Sequence, residues 1–383
     1  MNPRLDISTL SRRVDAVRRS MARASVDTLL VTHLPNIQYL TGFAGTAGAL
    51  VLSHDDCVLI VDSRYVTAAR DLAAGLPDAL LSVRPVAHSY DETVRDVIAA
   101  TAAAPVGFEA AHLTVARFNA LRALLSPDPA AESTGQVDRN GRLVPTEGVV
   151  ERVRMVKDDG EIAVFREAAL RLSEIARRLP ELARPGQTER EVAHAIEDAM
   201  RRSGFSRPAF DTIVASGRNS ALPHASPTDR VIQSGDPTVL DFGGVYGGYC
   251  VDLTRTVQLG GFSAEIAPIF AAVAEAQRAA IDTVGPGRRP SEVDAAARSV
   301  LERHGLGEAF GHGTGHGLGL EIHEAPRVGR PMPGQPDEPL EPGVVITIEP
   351  GAYVPGLGGV RIEDDVLVTT DGCEVLTDVP TFL

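Results

Sequence analysis

Five residues in the second half of the chain have the types and settings of ligands for divalent cations. Four are carboxylates and one is an imidazole, a set that two hard or borderline cations can share while leaving room for a water molecule. Each carboxylate stands in an apolar or glycine-rich stretch, where burying its charge is costly unless a cation compensates for it. The sequence therefore predicts a two-metal hydrolytic centre with the ligands Asp241, Asp252, His316, Glu349 and Glu363.

The spacing of the four acids predicts two hairpins that each present a pair of carboxylates. Asp241 and Asp252 are eleven residues apart with four glycines between them, which fits two strands joined by a tight turn. Glu349 and Glu363 are fourteen residues apart, with prolines and glycines that allow a longer turn. Any one of these acids could be a solvated carboxylate at a strand edge, but four such placements together favour a metal site.

The histidines near these acids predict a second set of functional groups. His312 and His316 are four residues apart, as in a helical zinc motif, but glycines at alternate positions from 311 to 319 disfavour a helix. We therefore expect an irregular or extended segment there. Only one or two histidines are needed as ligands, so the remaining ones, His224, His312 and His323, are candidates for proton transfer or for stabilising an oxyanion.

An internal repeat predicts how the acids converge. Residues 185–205 align without a gap on residues 286–306, at a constant offset of 101. Both copies predict a turn, an amphipathic helix and a terminal glycine, and Thr188 with Glu191 forms a capping box. Each copy is followed by one of the two acid-bearing hairpins, so packing with pseudo-two-fold symmetry would bring four carboxylates to one axis. The alternative interpretation of the match is two ordinary amphipathic helices.

The first part of the chain has the pattern of an α/β layer domain. Apolar runs predict strands at residues 28–32, 49–52, 57–61 and 105–108, and helical patterns cover residues 91–103 and 114–125. The turn-rich segment 138–142 is a candidate boundary. We therefore predict an α+β protein with an amino-terminal domain at residues 1–145 and a catalytic domain at residues 150–383.

Composition limits the partners and the compartment. A formal charge of −14 argues against nucleic acids and anionic membranes as partners, because either would need a basic face. The three cysteines are far apart and form no CxxC pair, as expected of free thiols in a reducing compartment. The amino terminus has no apolar segment of a signal peptide, so we expect a cytoplasmic protein.

These motifs resemble, over essentially the whole chain, the metallopeptidase family that includes aminopeptidase P, prolidase, methionine aminopeptidase and creatinase. The resemblance implies a creatinase-type amino-terminal domain with a ribonuclease-H-like layout, followed by a catalytic domain with the pita-bread fold. It also implies a homodimer that binds two divalent metal ions. The oxygen-rich ligand set favours Mn²⁺, with Co²⁺ or Zn²⁺ as alternatives.

The resemblance also implies a role for each residue of the site. Asp252 and His316 would bind largely one metal, Asp241 and Glu363 would bridge the pair, and Glu349 would be both ligand and general base. The other histidines, His224, His312 and His323, match those that hold the scissile carbonyl and shuttle protons in the family. Arg361 matches an arginine that orients an acidic ligand.

Within the family, the intact ligand set and the large amino-terminal domain favour cleavage after an amino-terminal residue that precedes proline. We predict an Xaa-Pro aminopeptidase of the aminopeptidase P type, acting on peptides with proline in the second position. The alternative is a prolidase, in which Arg327 would bind the free carboxylate of a dipeptide, although Arg327 could equally be a solvated loop residue. A non-catalytic pita-bread binding protein and hydrolysis of a non-peptide C–N bond are further alternatives.

Overall fold

The computed structural model of the protein describes residues 5–101, 105–125, 143–334 and 336–382. Two compact units divide the chain, Met1–Arg154 and Met155–Leu383. The candidate boundary segment 138–142 lies outside the described residues.

The amino-terminal unit is built on a six-stranded mixed sheet with helices before and between its strands. The strand order is β4-β3-β2-β1-β5-β6, and β2 pairs antiparallel with both of its neighbours. The strands are β1 Thr28–Val31, β2 Ala49–Ser53, β3 Cys57–Val61, β4 Ser82–Pro85, β5 Val106–Glu109 and β6 Leu143–Thr146. The helices are α1 Ile7–Arg23, α2 Leu34–Thr41, α3 Val66–Ala73, α4 Tyr90–Thr101, α5 Val115–Leu125 and α6 Glu151–Met155.

The four strands predicted from apolar runs are confirmed to within one residue at each end. The sequence did not indicate β4 and β6, the two edge strands of this sheet. Each contains a proline and neither is a continuous apolar run, because an edge strand tolerates proline and needs less apolar surface.

The carboxy-terminal unit contains five helices and three sheets among the residues that the structure describes. The helices are α7 Asp159–Ala176, α8 Leu179–Leu182, α9 Glu189–Arg202, α10 Ile266–Thr283 and α11 Pro290–Arg303. The first sheet has the order β10-β9-β7, with β8 also paired to β9, and comprises β7 Arg207–Pro208, β8 Ile213–Ser216, β9 Pro237–Tyr246 and β10 Tyr249–Gln258. The second sheet has the order β12-β11-β13-β16-β17 and comprises β11 Gly315–Gly317, β12 Glu324–Val328, β13 Val345–Ile348, β16 Asp364–Val368 and β17 Cys373–Val375. The third sheet is a two-stranded ribbon of β14 Gly351–Val354 and β15 Gly358–Arg361.

The internal repeat is present in the fold. Helices α9 and α11 have 14 residues each and begin 101 positions apart. The predicted capping box is confirmed, since the backbone N–H of Glu191 donates to Thr188 Oγ1 and the Glu191 carboxylate accepts from the backbone N–H of Thr188. Each helix precedes one acid-bearing pair of strands, β9 with β10 and β13 with β16.

The two acid-bearing units differ in how their strands are joined. Strands β9 and β10 meet in a two-residue turn, Gly247-Gly248, and both glycines have positive φ (57° and 93°), as a type I′ turn requires. In the second unit the long connection forms its own ribbon, β14 with β15. Glu349 and Glu363 therefore lie at the breaks between the two strand pairs and not inside a strand.

In this unit, an apolar core packs helices against the second sheet and the ribbon. A buried apolar cluster packs α10 and α11 against β13, β15 and β16, with side chains such as Phe270, Val300 and Ile346 fully buried. None of the described helices is both long and apolar enough to cross a bilayer.

Candidate metal centre

The first pair of acids lies on one face of the β9–β10 hairpin. Asp241 pairs with Thr254 and Asp252 pairs with Gly243, so the two carboxylates are diagonal neighbours on the same side. Both side chains are buried. Among the described residues, Oδ1 of each aspartate has no hydrogen-bond partner. A buried carboxylate oxygen without a partner is costly, so each of these oxygens is a candidate ligand for a cation.

The second pair of acids is tied to the first by hydrogen bonds between the two acid-bearing units. Thr254 Oγ1 donates to Glu363 Oε2 (2.6 Å), and the backbone N–H of Glu363 donates to the Thr254 carbonyl (3.1 Å). Glu349 is held from the other side, because its backbone N–H donates to the Thr314 carbonyl (2.7 Å). The two halves of the repeat therefore present their acids to a common space.

His316 joins these acids from the glycine-rich segment, which is irregular except for the short strand β11, in keeping with the expected irregular or extended chain. Its Nδ1 lies 3.1 Å from the Gly317 carbonyl, which can only accept, so Nδ1 carries the proton. The lone pair of Nε2 is then free, and this atom is 4.0 Å from Asp252 Oδ2 and 3.9 Å from Glu349 Oε1. Ligand atoms of Asp252, His316 and Glu363 lie within 4.8 Å of one another.

Burial and mutual repulsion shift the pKa values of these ligand candidates, and bound cations would reduce that repulsion. Burial, followed by the neighbouring carboxylates, raises the pKa of Asp252 and of Glu363 well above their usual range. Burial raises the pKa of Glu349 to about 8, against the opposing charge of Arg361. Burial also lowers the pKa of His316 to about 4, which keeps its imidazole neutral. Neutral imidazole and crowded carboxylates fit divalent cations, which would stabilise the charged carboxylates.

A chain of hydrogen bonds connects Asp241 to His312. Arg361 donates from Nη2 to Asp241 Oδ2 (2.5 Å) and from Nη1 to the Tyr353 hydroxyl oxygen (2.6 Å). Tyr353 Oη lies 3.1 Å from His312 Nε2, and His312 Nδ1 lies 2.8 Å from the Gly313 carbonyl. Since that carbonyl can only accept, His312 donates from Nδ1 and accepts the Tyr353 proton at Nε2. Burial lowers the pKa of His312 to about 4, in keeping with a neutral ring.

All ten residues that the sequence indicated line one cavity of about 650 Å³. His224 and His323 are exposed to it, and the His323 ring lies 4.4 Å from the His316 ring in an edge-to-face arrangement. Arg327 is also exposed and lies on β12 opposite His316. Apolar side chains complete the wall, among them Phe210, Ile213, Pro223 and Ile322.

Sequence reasoning missed three residues that hold the ligands. Tyr353 links Arg361 to His312, and Thr254 binds Glu363. Asp365 is fully buried and accepts from the backbone N–H of Asp252 (3.1 Å). The only sequence signal for them was the presence of hydroxyl and acidic residues in otherwise apolar strands, which does not indicate their partners. For Thr254 and Asp365 those partners are more than a hundred positions away.

A second group of residues with ligand-type side chains lies in the amino-terminal unit. His33, His112 and Glu151 offer ligand atoms within 4.8 Å of one another. The two imidazole rings are stacked, with centroids 3.6 Å apart and planes 6° apart. A metal binds an imidazole in the plane of the ring, along the nitrogen lone pair, and nearly parallel planes do not meet at one ion. This arrangement is therefore a stacked pair beside a carboxylate and not a formed metal site.

The fold and the cavity define a class of protein, a metal-dependent hydrolase built from two related halves. Comparison with protein families identifies the family. Residues 163–370 match the model of metallopeptidase family M24, and residues 13–156 match that of the creatinase/prolidase amino-terminal domain. The chain belongs to metallopeptidase family M24 and is a hydrolase, and the family implies divalent metal ions.

Its relatives include peptidases that act at proline. A curated Xaa-Pro dipeptidase of Pyrococcus horikoshii is 32% identical over 370 residues, which cover 96% of this chain and 97% of the relative. The solved structure of an Xaa-Pro dipeptidase from Bacillus anthracis superposes with a TM-score of 0.88 at 37% identity, covering 98% of this chain and 100% of that chain. An X-Pro aminopeptidase from Thermotoga maritima superposes with a TM-score of 0.82 at 32% identity, covering 97% and 98%.

Proposed function

We propose that the protein is a metal-dependent Xaa-Pro dipeptidase, which cleaves dipeptides whose second residue is proline. The sequence predicted an aminopeptidase P with prolidase as the alternative, and the similarity to Xaa-Pro dipeptidases favours that alternative. The curated relative from Pyrococcus and the solved relative from Bacillus anthracis, which match nearly the whole chain, are both named as Xaa-Pro dipeptidases.

The observation that carries the proposal is the presence of Arg327 in the cavity that holds the five ligand-type residues. A dipeptide has a free carboxylate one residue beyond the scissile bond, and its recognition requires a cation close to the metal ligands. Arg327 lies opposite His316 in the register of β11 and β12, and it lines the same cavity as the ligand candidates. An arginine can bind a carboxylate through two parallel hydrogen bonds, which selects for a free carboxylate over an amide.

The acids, histidines and arginines of the cavity have complementary tasks in this reaction. Divalent cations bound to the acids and to His316 would supply an acidified water and a polarised carbonyl. Glu349, whose Oε1 lies 3.9 Å from His316 Nε2 in the cavity, would accept a proton from the attacking water and return it to the leaving proline nitrogen. His323 and His224, exposed in the cavity wall, would donate hydrogen bonds to the developing oxyanion.

The sharpest test compares substrates that differ only at the carboxy terminus. We expect the protein to cleave Xaa-Pro dipeptides in preference to Xaa-Pro amides and Xaa-Pro-Yaa tripeptides. Arg327→Ala should raise the KM for the dipeptide about tenfold to a hundredfold, because the substitution removes one charged hydrogen-bonding partner of the substrate carboxylate. The KM for the Xaa-Pro amide should stay unchanged. Arg330→Ala is the matched control, because Arg330 is an exposed arginine three residues away and its backbone carbonyl, which accepts from Arg327, is kept in the variant. Equal or faster cleavage of tripeptides by the wild-type protein would instead favour an aminopeptidase P.

Metal identity and assembly form part of the same proposal. The four carboxylates and one imidazole favour two Mn²⁺ ions, and the metal content of the protein purified without added metal would test this. We also propose a homodimer, which sedimentation of the intact chain would test.

A further inference from the structure

Two buried charged groups outside the ligand set anchor the loops that carry His224 and His312. We propose that Glu189 and the Asp294–Arg298 pair are positioning residues for hydrolysis, each holding one of these histidine-bearing loops against the ligand-bearing strands. The inference rests on the proposed function, because it assumes that His224 donates to the oxyanion and that His312, through Tyr353 and Arg361, helps to hold Asp241 for the reaction. It extends that function to residues that touch neither the cavity nor the ligands.

Glu189 is the first residue of α9, and its side chain is fully buried. Its Oε1 accepts from the backbone N–H of Ser216 (2.8 Å) and from Ser216 Oγ (2.8 Å). Its Oε2 accepts from the backbone N–H of Thr228 (3.0 Å) and from Thr228 Oγ1 (2.6 Å), and Asn219 Nδ2 donates to both oxygens. A carboxylate at the beginning of a helix also interacts favourably with the helix dipole.

These bonds close the loop that contains His224. Ser216 ends β8, and Thr228 lies twelve residues later, so one carboxylate holds both ends of the segment 217–227. In the middle of the loop, Arg361 Nη1 donates to the carbonyl of Pro223, the residue before His224 (3.2 Å). The loop is therefore fixed at both ends by Glu189 and beside the histidine by the arginine that holds Asp241.

Asp294 and Arg298 anchor the loop that contains His312, in the second copy of the repeat. They lie one turn apart on α11 and form a buried bidentate ion pair, with bonds of 3.0 and 2.8 Å. Arg298 also donates to the carbonyls of Phe310 (3.1 Å) and His312 (2.9 Å), and Asp294 accepts from Thr314 Oγ1 (2.9 Å). The pair therefore binds three residues of the five-residue segment 310–314, whose middle member is His312.

The anchored segment is also connected to the general base. The carbonyl of Thr314 accepts from the backbone N–H of Glu349, so a shift of this segment would move both His312 and Glu349. Within this segment, position 313 requires glycine, because a Cβ there would lie 2.8 Å from the Val328 carbonyl oxygen. The buried pair supplies hydrogen bonds to carbonyls that a glycine-rich backbone leaves unpaired.

The two anchors belong to the two copies of the repeated helix, but they occupy different positions on it. Glu189 is the first residue of α9, whereas Asp294 and Arg298 are the fifth and ninth residues of α11. A purely structural role would make these groups contribute to stability without affecting the histidines. The two interpretations differ in one observable: a positioning residue affects activity only while the histidine in its own loop is present.

The test is a pair of double-mutant cycles on the intact, metal-loaded protein, assayed well below Tm with an Xaa-Pro dipeptide. Glu189→Gln turns one acceptor oxygen into a donor that faces the donors of Thr228 and Asn219. We expect kcat/KM to fall about tenfold to a hundredfold with metal content unchanged, as for small misplacements of reacting groups. In a His224→Ala background the same substitution should have little further effect, whereas in a His312→Ala background its full effect should remain.

The reciprocal cycle uses Arg298→Lys, which keeps the charge but loses the bidentate geometry and a carbonyl contact. Its effect should disappear in a His312→Ala background and persist in a His224→Ala background. Matched controls are Glu191→Gln on α9 and Arg303→Lys on α11, since both residues are exposed, lie on the same helices and do not touch either loop. Both controls should retain wild-type kcat/KM.

Additive effects in every background would overturn the inference and leave the proposed function intact. Wild-type activity of both His224→Ala and His312→Ala would overturn the roles given to these histidines, and the inference with them. If Glu189→Gln does not fold, Thr228→Val removes a single hydroxyl donor from the same carboxylate at an exposed position, and it should show the same dependence on His224 with a smaller loss. Full activity of Thr228→Val would also contradict the inference for this half.

Discussion

Arg361 and Asp241 form a buried ion pair in which Nη2 of the arginine lies 2.5 Å from Oδ2 of the aspartate. The pair engages one carboxylate oxygen and leaves Oδ1 without a hydrogen-bond partner among the described residues. The other guanidinium nitrogens bind Tyr353, Thr254 and the Pro223 carbonyl, so the arginine cannot turn away. The direction of the Asp241 lone pairs is therefore set by a residue 120 positions later in the chain.

Replacing this arginine tests whether the orientation of Asp241 matters for metal binding. Arg361→Lys keeps a positive charge but cannot reach Asp241, Tyr353 and Pro223 together. We expect metal affinity to fall about tenfold to a hundredfold, as is usual for residues that orient a ligand. Metal titration of the chelated protein would measure this. Arg330→Lys, an exposed arginine outside the cavity, should bind metal like the wild type, and unchanged affinity of Arg361→Lys would contradict the prediction.

The ligand candidates could be found from sequence because each pair stands in a local pattern. Asp241 and Asp252 flank a glycine turn, and the alternation of strand residues places them on one face whatever the rest of the fold does. The position of Glu349 and Glu363 at strand breaks could not be found in this way. It depends on β13 and β16 pairing with each other while the connection between them forms a separate ribbon.

The supporting residues could not be predicted, because their partners come from tertiary packing. Thr254 binds Glu363 across 109 positions and Tyr353 reaches His312 across 41. Glu189 looked like an ordinary first-turn acid of a helix, and only its burial beside Ser216 and Thr228 reveals its contacts. The types of these residues are common in strands and helices, so no local pattern marks them.

Removing the general base tests the assignment of Glu349. Glu349→Ala should lower kcat by a factor of about 10² to 10⁴ or more, because proton transfer and a ligand are lost together. The fold should remain, since the side chain is partly exposed to the cavity and Glu349 lies beyond the last paired residue of β13. Turnover of an Xaa-Pro dipeptide and the circular dichroism spectrum would be measured together. Turnover close to that of the wild-type protein would refute the assignment.

Removing one of the crowded charges should separate stability from activity. Burial and three neighbouring acids raise the pKa of Asp252, so its charge destabilises the folded protein when no cation is bound. Asp252→Asn should therefore stabilise the chelated protein by about 0.5–2 kcal/mol while abolishing hydrolysis. Urea unfolding in the presence of a chelator would measure the first effect. A less stable chelated variant would show that Asp252 has a structural role that outweighs the repulsion.

His323 tests the division between ligands and proton donors. Its ring is exposed in the cavity, whereas His316 lies closer to the acids. His323→Ala should lower kcat about 10² to 10³-fold, as for the loss of one oxyanion donor, with metal content unchanged. His316→Ala provides the contrast, because it should lose metal. A folded His323→Ala variant that has lost its metal would show that His323 is a ligand.

Removal of metal should also change how stability depends on pH. Burial raises the pKa of Glu349 to about 8 from an ordinary value of 4.5, so between these values the folded state binds the extra proton and stability falls as pH rises. The pKa values of His312 and His316, lowered to about 4 from 6.5, act in the opposite direction but only below pH 6.5. From pH 6.5 to 8 the Glu349 contribution therefore remains, and the Tm of the chelated protein should fall across this window. Glu349→Gln should weaken the dependence without removing it, because the raised pKa values of Asp252 and Glu363 act in the same direction. Bound metal should weaken it too, because it stabilises the charged carboxylates. A chelated wild-type protein whose Tm rises between pH 6.5 and 8 would contradict the raised pKa of this carboxyl group.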